Sequence, residues 1–191
     1  MITDIPMVIF AGGKSSRMGK DKALLPFGGY NSLAQYQFER LNKIFKRVYI
    51  SAKDDKFDFE TNLIKDTTNI SSPLVGIASV LQYTKTPTFI LSVDAPFIDN
   101  DIIQTIVGKH KNFNSIATIA STASQLQPLC GIYHPNILKI AKQHIEENKH
   151  SLTKMLKELE VSIVSFTDEE RFSNLNYPQE YQKALEKQNL S

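Results

Sequence analysis

Phe10-Ala11-Gly12-Gly13-Lys14-Ser15-Ser16-Arg17-Met18-Gly19-Lys20-Asp21-Lys22 is the stretch on which the reading of this chain turns. It follows a short apolar run, Met7 to Phe10, bounded as a buried parallel strand is bounded, and then loses periodicity while gathering glycine and positive charge. A strand that feeds a basic, glycine-rich loop has the outline of a phosphate cradle. Gly12 and Gly13 allow consecutive N–H groups to converge on one concavity. Arg17 would add a planar fork of donors, and Lys22 a compact charge able to follow charge moving onto a departing pyrophosphate.

Two better-known phosphate loops are excluded by spacing. Gly19-Lys20 is followed by Asp21, where a P-loop needs Ser or Thr, and Gly12 and Gly13 do not stand at the required distance from such a pair. The dinucleotide fingerprint G-x-G-x-x-G fails because Gly12 and Gly13 are adjacent and the next glycine is Gly19. A solvated surface loop is the competing reading. The position directly after the first buried strand favours phosphate, since ligands in open α/β sheets collect at the carboxyl ends of strands.

Composition narrows the class. The 191 residues suffice for one domain with a substantial core and are too few for two of ordinary size. Twenty-two Lys and Arg against twenty Asp and Glu leave a formal charge of +2, so neither nucleic acid nor an anionic membrane is an expected partner, and any positive potential is local. Cys130 is the single cysteine, and the four histidines lack metal-ligand spacing. The N-terminus has no basic region followed by an apolar one, and no apolar stretch approaches the roughly 20 residues that span a bilayer. A cytoplasmic, non-zinc protein is the expectation.

Further along, Ser32 predicts a helix cap, with Leu33, Tyr36, Leu41 and Ile44 on one face up to about Lys46. Arg47 to Ala52 reads as a second strand, Lys53 to Glu60 as a polar loop, and Asn62 to Lys65 as a short strand delivering Asp66. Ser71-Ser72-Pro73 starts a helix, with Ser72 as its cap. Thr88 to Val93 is the clearest buried strand and ends on Asp94-Ala95-Pro96; Asp99 then caps a helix that stops at Gly108. Ser115 to Ala120 and Leu129 to Tyr133 read as strands separated by a polar segment from Ser121 to Gln127. Helices open at Pro135 and Ser151, the second with a core stripe of Leu152, Met155, Leu156 and Leu159; Ser162 to Phe166 is a last strand, and Pro178 starts a terminal helix. Strands alternating with helices predict an α/β fold with a mostly parallel sheet and right-handed crossovers.

Three features then fall at one edge of one sheet: the basic loop, Asp66 and Asp94. A carboxylate at the end of a buried strand, facing a polyphosphate, is suited to hold Mg²⁺, which takes one or two carboxylates with phosphates and water. The alternative, Asp94 as a helix cap, is weakened by Asp99, which is better placed for that task. The pattern fits nucleotidyl transfer, in which an ionised phosphate needs no protein base and the departing pyrophosphate is neutralised by Arg17, Lys22 and the metal at Asp94. Cys130, in an apolar run, and His134, before a proline, read as structural.

The run from Ala11 to Leu25 resembles the signature of molybdenum cofactor guanylyltransferases, within the wider superfamily of Rossmann-like nucleotidyltransferases. The likeness continues in order through Ser72-Pro73-Leu74-Val75-Gly76, Asp94-Ala95-Pro96-Phe97, Gln127-Pro128-Leu129 and Asn174-Leu175-Asn176-Tyr177-Pro178, and so spans nearly the whole chain. It implies a three-layer α/β/α domain over residues 1–191, with a nucleotide-binding half at about 1–110 and an acceptor-binding half at about 111–191. It implies that Phe10, Ala11, Gly12 and Gly13 meet the guanine and ribose side, Lys22 the phosphates, Ser51 and Asp66 the nucleoside, and Asp94 the Mg²⁺. Gln127 would belong to the acceptor pocket, and Asn174 and Asn176 would bind the pterin. The substrates implied are GTP and molybdenum-molybdopterin, with transient contacts to cofactor-handling proteins and apo-molybdoenzymes.

The chain departs from the family pattern at Phe10 (usually Leu), Ser51 (Asn), Ser72 (Gly) and Tyr177 (Thr). Where the family carries Arg for the substrate phosphate, this chain has Lys149 and His150. A cytidylyltransferase, a sugar-1-phosphate nucleotidyltransferase and a nucleotide-binding cofactor chaperone are the alternative readings; retention of Arg17, Lys22 and Asp94 together speaks against the chaperone, which need not stabilise a leaving group.

Overall fold

The computed structural model describes residues 3–13, 17–66, 72–112 and 115–189, so Lys14, Ser15 and Ser16 of the glycine loop, and Ser71 of the expected helix start, lie outside the described residues. The strands are β1 (Met7–Phe10), β2 (Val48–Ala52), β3 (Leu63–Lys65), β4 (Thr88–Ser92), β5 (Ala117–Ser121), β6 (Leu126–Tyr133) and β7 (Ser162–Ser165). They form one seven-stranded sheet in the order β3-β2-β1-β4-β6-β5-β7. All pairings are parallel except those of β6, which runs antiparallel to both β4 and β5. The sheet is therefore mostly parallel, as expected from the alternation of strands and helices, and strands from before and after residue 110 join in it.

The helices are α1 (Leu33–Asn42), α2 (Pro73–Thr84), α3 (Asn100–Asn112), α4 (Leu138–Glu146), α5 (Leu152–Lys157) and α6 (Pro178–Asn189). Alternate residues of β1 enter two separate cores, because successive side chains of a strand point to opposite faces. Met7 and Ile9 pack with Leu33 and Leu41 of α1, Ile103 and Ile106 of α3 and Ala184 of α6. Val8 and Phe10 pack with Leu74 and Ile77 of α2, Ala141 of α4 and Met155 of α5. The result is a three-layer α/β/α sandwich. None of the helices among the described residues is long and apolar enough to cross a membrane.

Local signals set most boundaries. Ser32 accepts from the Gln35 N–H at 3.1 Å and Ser72 from the Val75 N–H at 3.2 Å, each satisfying an orphan donor of a helix start. Asp99 does the same for α3 through the N–H groups of Asp101 and Ile102. Four expectations need correction. Helix α1 ends at Asn42, short of Lys46. Helix α3 runs through Gly108 to Asn112, because Ile102, Ile103, Ile106 and Val107 fix its buried face and His110 Nδ1 meets Thr118 Oγ1 of β5 at 3.0 Å, so one glycine does not end it. Strand β6 begins at Leu126 and includes Gln127 and Pro128, its ladder with β5 shifting register between Ile119 and Ala120, where an irregularity accommodates the proline. Leu159 lies beyond α5 but still packs on the same core.

The site edge is set by register. Phe10 pairs with Ser51 on one side and Ser92 on the other, so β2, β1 and β4 end level with one another. The ladder continues one residue past the strands: Ala11 N–H donates to Ser51 O at 2.9 Å and Val93 N–H to Phe10 O at 3.0 Å. A buried polar bracket holds the chain around Asp94. Gln37 of α1, fully buried, donates through Nε2 to Val93 O at 3.1 Å and accepts from Arg40 Nε at 2.6 Å. Arg40 Nη1 in turn donates to Ile98 O at 2.7 Å. Two carbonyls flanking Asp94-Ala95-Pro96 are thus tied to one helix, and burial lowers the Arg40 pKa.

Replacing Gln37 by Leu keeps the volume and strands the Val93 carbonyl and the Arg40 Nε–H; a loss of about 1–3 kcal/mol of unfolding free energy is expected in urea titration.

Candidate functional site

The parallel ends of β1, β3 and β4 deliver their side chains to one cleft. Phe10, Gly12 and Gly13 come from β1 and its exit, and Ser92 and Asp94 from the end of β4. Ser51 of β2 and Asp66 after β3 complete the far side. They line two neighbouring cavities, of about 240 and 230 Å³, that share Phe10, Gly12, Gly13 and Ser92. The first is the charged one.

In the charged cavity, Lys22 stands on a single 3-10 turn, Lys22–Leu24, whose start is capped by Asp21 Oδ1 accepting from the Ala23 N–H at 3.0 Å. Its ammonium forms an ion pair with Asp94 Oδ2 and donates to Asn176 Oδ1 at 3.0 Å. Both members of the ion pair are largely withdrawn from water, with side chains 17% and 11% exposed. The other Asp94 oxygen accepts from Ser92 Oγ at 2.5 Å. Arg17 lines the same cavity from the exposed side, its guanidinium 5.7 Å from the ring centroid of Tyr177.

The second cavity suits a flat, partly polar group. Ser51 Oγ donates to Asp66 Oδ1 at 3.3 Å, leaving the carboxylate with accepting capacity toward the cavity they line together. Phe10 forms part of the wall, and its ring fits only because residue 76 has no side chain: a Cβ there would stand 2.9 Å from Phe10 Cε2. The larger ring at position 10 therefore occupies space left by α2.

A third cavity lies across Asp94, bounded by Gln127, Pro128, Leu129, Phe172 and Asn174. The chain reaches it because the Leu175 N–H donates to Asp94 O at 2.9 Å, stapling the segment before α6 to the end of β4. The two asparagines consequently divide. Asn174 faces the third cavity with Gln127, whereas Asn176 belongs to the charged cavity with Lys22. Glu180 fixes this arrangement, its Oε2 accepting from the N–H groups of Asn176 at 2.7 Å and Tyr177 at 2.9 Å at the start of α6. Lys149 is paired with Glu147 at 2.6 Å.

Sequence reasoning missed Ser92, which contacts all three cavities, and Glu180. A lone serine closing an otherwise apolar strand was the available signal for Ser92. Glu180 carried a weaker one, being three residues past Tyr177, where a capping box would have Ser or Thr. Cys130 is no nucleophile: burial pushes its thiol from the ordinary 9.0 up to about 12. No group of three or more His, Cys, Asp or Glu side chains able to hold a metal occurs among the described residues. Among the described residues, Asp94 and Asp21 are the two carboxylates that line the charged cavity.

Residues 7–163 match the MobA-like NTP transferase domain family. A molybdenum cofactor guanylyltransferase of Campylobacter jejuni is 39% identical over 186 residues, covering 95% of this chain and 96% of the relative. One of Helicobacter pylori is 33% identical over 195 residues, covering 97% and 94%. In three dimensions, the molybdopterin-guanine dinucleotide biosynthesis protein A of Archaeoglobus fulgidus superposes with a TM-score of 0.86 over 98% of this chain and 100% of its own, at 18% identity, a likeness of fold.

Gly13 has φ +129°, a backbone conformation that side chains disfavour by about 1–3 kcal/mol. Gly13→Ala is expected to weaken binding of inorganic triphosphate by roughly tenfold in calorimetric titration. The thermal midpoint should also fall by a few degrees, since the strained φ acts on the folded state even though a Cβ at this position would meet nothing within 4 Å.

Proposed function

The chain belongs to the molybdenum cofactor guanylyltransferases, within the MobA-like NTP transferase family, and from that membership we propose that it transfers GMP from GTP to molybdenum-molybdopterin. The products are the guanine dinucleotide form of the cofactor and pyrophosphate. The observation that carries this reading is that the three cavities meet at Ser92, with Asp94 lining the charged one and the third. A nucleoside cavity and an acceptor cavity flank a charged one, which is the order that base, triphosphate and incoming phosphate require.

The chemistry follows from what lines each part. The guanine and ribose lie against Phe10, Ser51 and Asp66, where the carboxylate accepts from N–H groups of the base. The triphosphate settles on the backbone of Ala11, Gly12 and Gly13. A phosphate oxygen of the pterin, held by Gln127 and Asn174, attacks the α-phosphorus; the bond to the bridging oxygen breaks, and its electron pair leaves with pyrophosphate. No proton need be removed, because the attacking phosphate is already ionised. Lys22 neutralises charge as it accumulates on the leaving group, and Arg17 closes the outer side. Asn176 keeps the Lys22 ammonium directed into the cavity when Asp94 is otherwise engaged.

Asp94 fits a resident Mg²⁺: it is a largely desolvated carboxylate that lines the proposed phosphate cavity, and one or two carboxylates are the donor set this ion shares with substrate oxygens and water. When bound, the ion supplies charge neutralisation at the phosphates. Handing the product to apo-molybdoenzymes, through transient contacts, completes the reading, together with a cytoplasmic location.

Pyrophosphate release measured with each of the four nucleoside triphosphates and molybdenum-molybdopterin tests it: release with GTP is expected, and release with CTP alone would replace guanylyl by cytidylyl transfer. Lys22→Ala should lower kcat by about 10²–10³, the loss typical of one transition-state donor. Asp94→Ala should abolish metal-dependent turnover with the fold retained by circular dichroism, and unchanged turnover would move the metal elsewhere.

A further inference from the structure

In the sequence, nine residues from Gly12 to Lys20 separate Ala11 from Asp21, the two stems of the glycine-rich stretch. Lys56, in the connection between β2 and β3, touches both. Its Nζ donates to Ala11 O at 3.1 Å and to Asp21 Oδ2 at 2.5 Å. The Lys56 side chain is 25% exposed and that of Asp21 is 32% exposed, so the contact is partly shielded. One ammonium thus bridges the neck of the loop.

The connection was expected to be a polar loop, but it is anchored. Phe57 and Phe59 pack against the core on the α1 side, with the Phe59 ring 5.7 Å from Phe38 and 5.7 Å from Phe57. Lys56 Nζ itself lies 5.7 Å from the Phe57 ring centroid. The lysine therefore reaches the neck from a fixed base. At the other end of its reach, Asp21 uses its second oxygen to cap the turn that carries Lys22. A path of direct contacts runs from Phe59 through Lys56 and Asp21 to the residue paired with Asp94.

We propose that Lys56 is a positioning residue for nucleotide binding, clamping the stems of the glycine loop and holding the Lys22 turn in register with Asp94. The proposal rests on the reading of the loop as the triphosphate site. Lys56 does not line the charged cavity, so it acts through Ala11 and Asp21 and not as a phosphate ligand. A simple electrostatic role makes a different forecast for Asp21. If Lys56 served only as nearby positive charge, removing the Asp21 charge would strengthen binding of an anion; if it works as a clamp, the same change weakens binding.

The test uses the full chain with Lys56→Met, Lys56→Arg and Asp21→Asn. Hydrogen exchange of the backbone amides between Ala11 and Leu25 is expected to accelerate in Lys56→Met, with Lys56→Arg close to wild type. GTP affinity should fall about tenfold in Lys56→Met and fall, not rise, in Asp21→Asn, with the double variant no worse than the weaker single one. Unchanged exchange in Lys56→Met, or tighter GTP binding in Asp21→Asn, would overturn the clamp. Should Lys56→Met fail to fold, the Lys56→Arg and Asp21→Asn arms still decide. A wild-type protein that does not bind GTP would instead remove the functional reading, while the exchange measurement on the free protein continues to judge the clamp.

Discussion

The Lys22–Asp94 ion pair is the contact on which the geometry of this site depends. It joins the turn that carries Lys22 to the end of β4, two pieces of chain that line the charged cavity together. Neither partner is well solvated, and withdrawing charges from water commonly costs as much as their attraction returns. The pair is accordingly poor as a source of stability. Its surroundings show how the cost is met: Ser92 donates to the free carboxylate oxygen and Asn176 accepts from the ammonium, so each charge has a second partner. Under the proposed function, a polyphosphate on the ammonium and a cation on the carboxylate would replace both halves of the contact at once.

Support for that pair comes from all three layers. Helix α1 ties the carbonyls on either side of Asp94 through Gln37 and Arg40. The segment before α6 is stapled to the Asp94 backbone by the Leu175 N–H and oriented by Glu180, which brings Asn176 into place. Helix α2 contributes space: Gly76 leaves room for the Phe10 ring at the strand end. The functional groups therefore sit on strand ends and short capped turns, where packing sets their positions within narrow limits.

Much of this was legible in the sequence because parallel sheets impose a strong rule. Once Met7 to Phe10, Asn62 to Lys65 and Thr88 to Val93 are recognised as parallel strands, the residues that follow them must share an edge, and Gly12, Asp66 and Asp94 are brought together by topology alone. Caps at Ser32, Ser72 and Asp99 were equally local and equally readable. What escaped was long-range or contrary to local preference. Gly108 and Pro128 each look like breaks, yet one lies inside α3 and the other inside β6, where tertiary packing and a register shift override propensity. Lys56 contacts partners 45 and 35 residues away, and nothing within its own polar segment announces them. The separate allegiances of Asn174 and Asn176 depend on how a chain two residues apart turns between two cavities, which spacing does not encode.

The same distinction bears on how a glycine-rich loop can be both adaptable and accurate. Glycine admits unusual backbone conformations but does not select among them, and its unfolded freedom makes any one arrangement entropically costly. Accuracy must then come from the stems. Here one stem is held by the Ala11 N–H on the carbonyl of Ser51, an extension of the sheet ladder, and the other by Asp21 capping the 3-10 turn. The Lys56 ammonium links the two. Fixing both ends shortens the distance that the sequence between them has to span, which lowers the entropic cost of closing it.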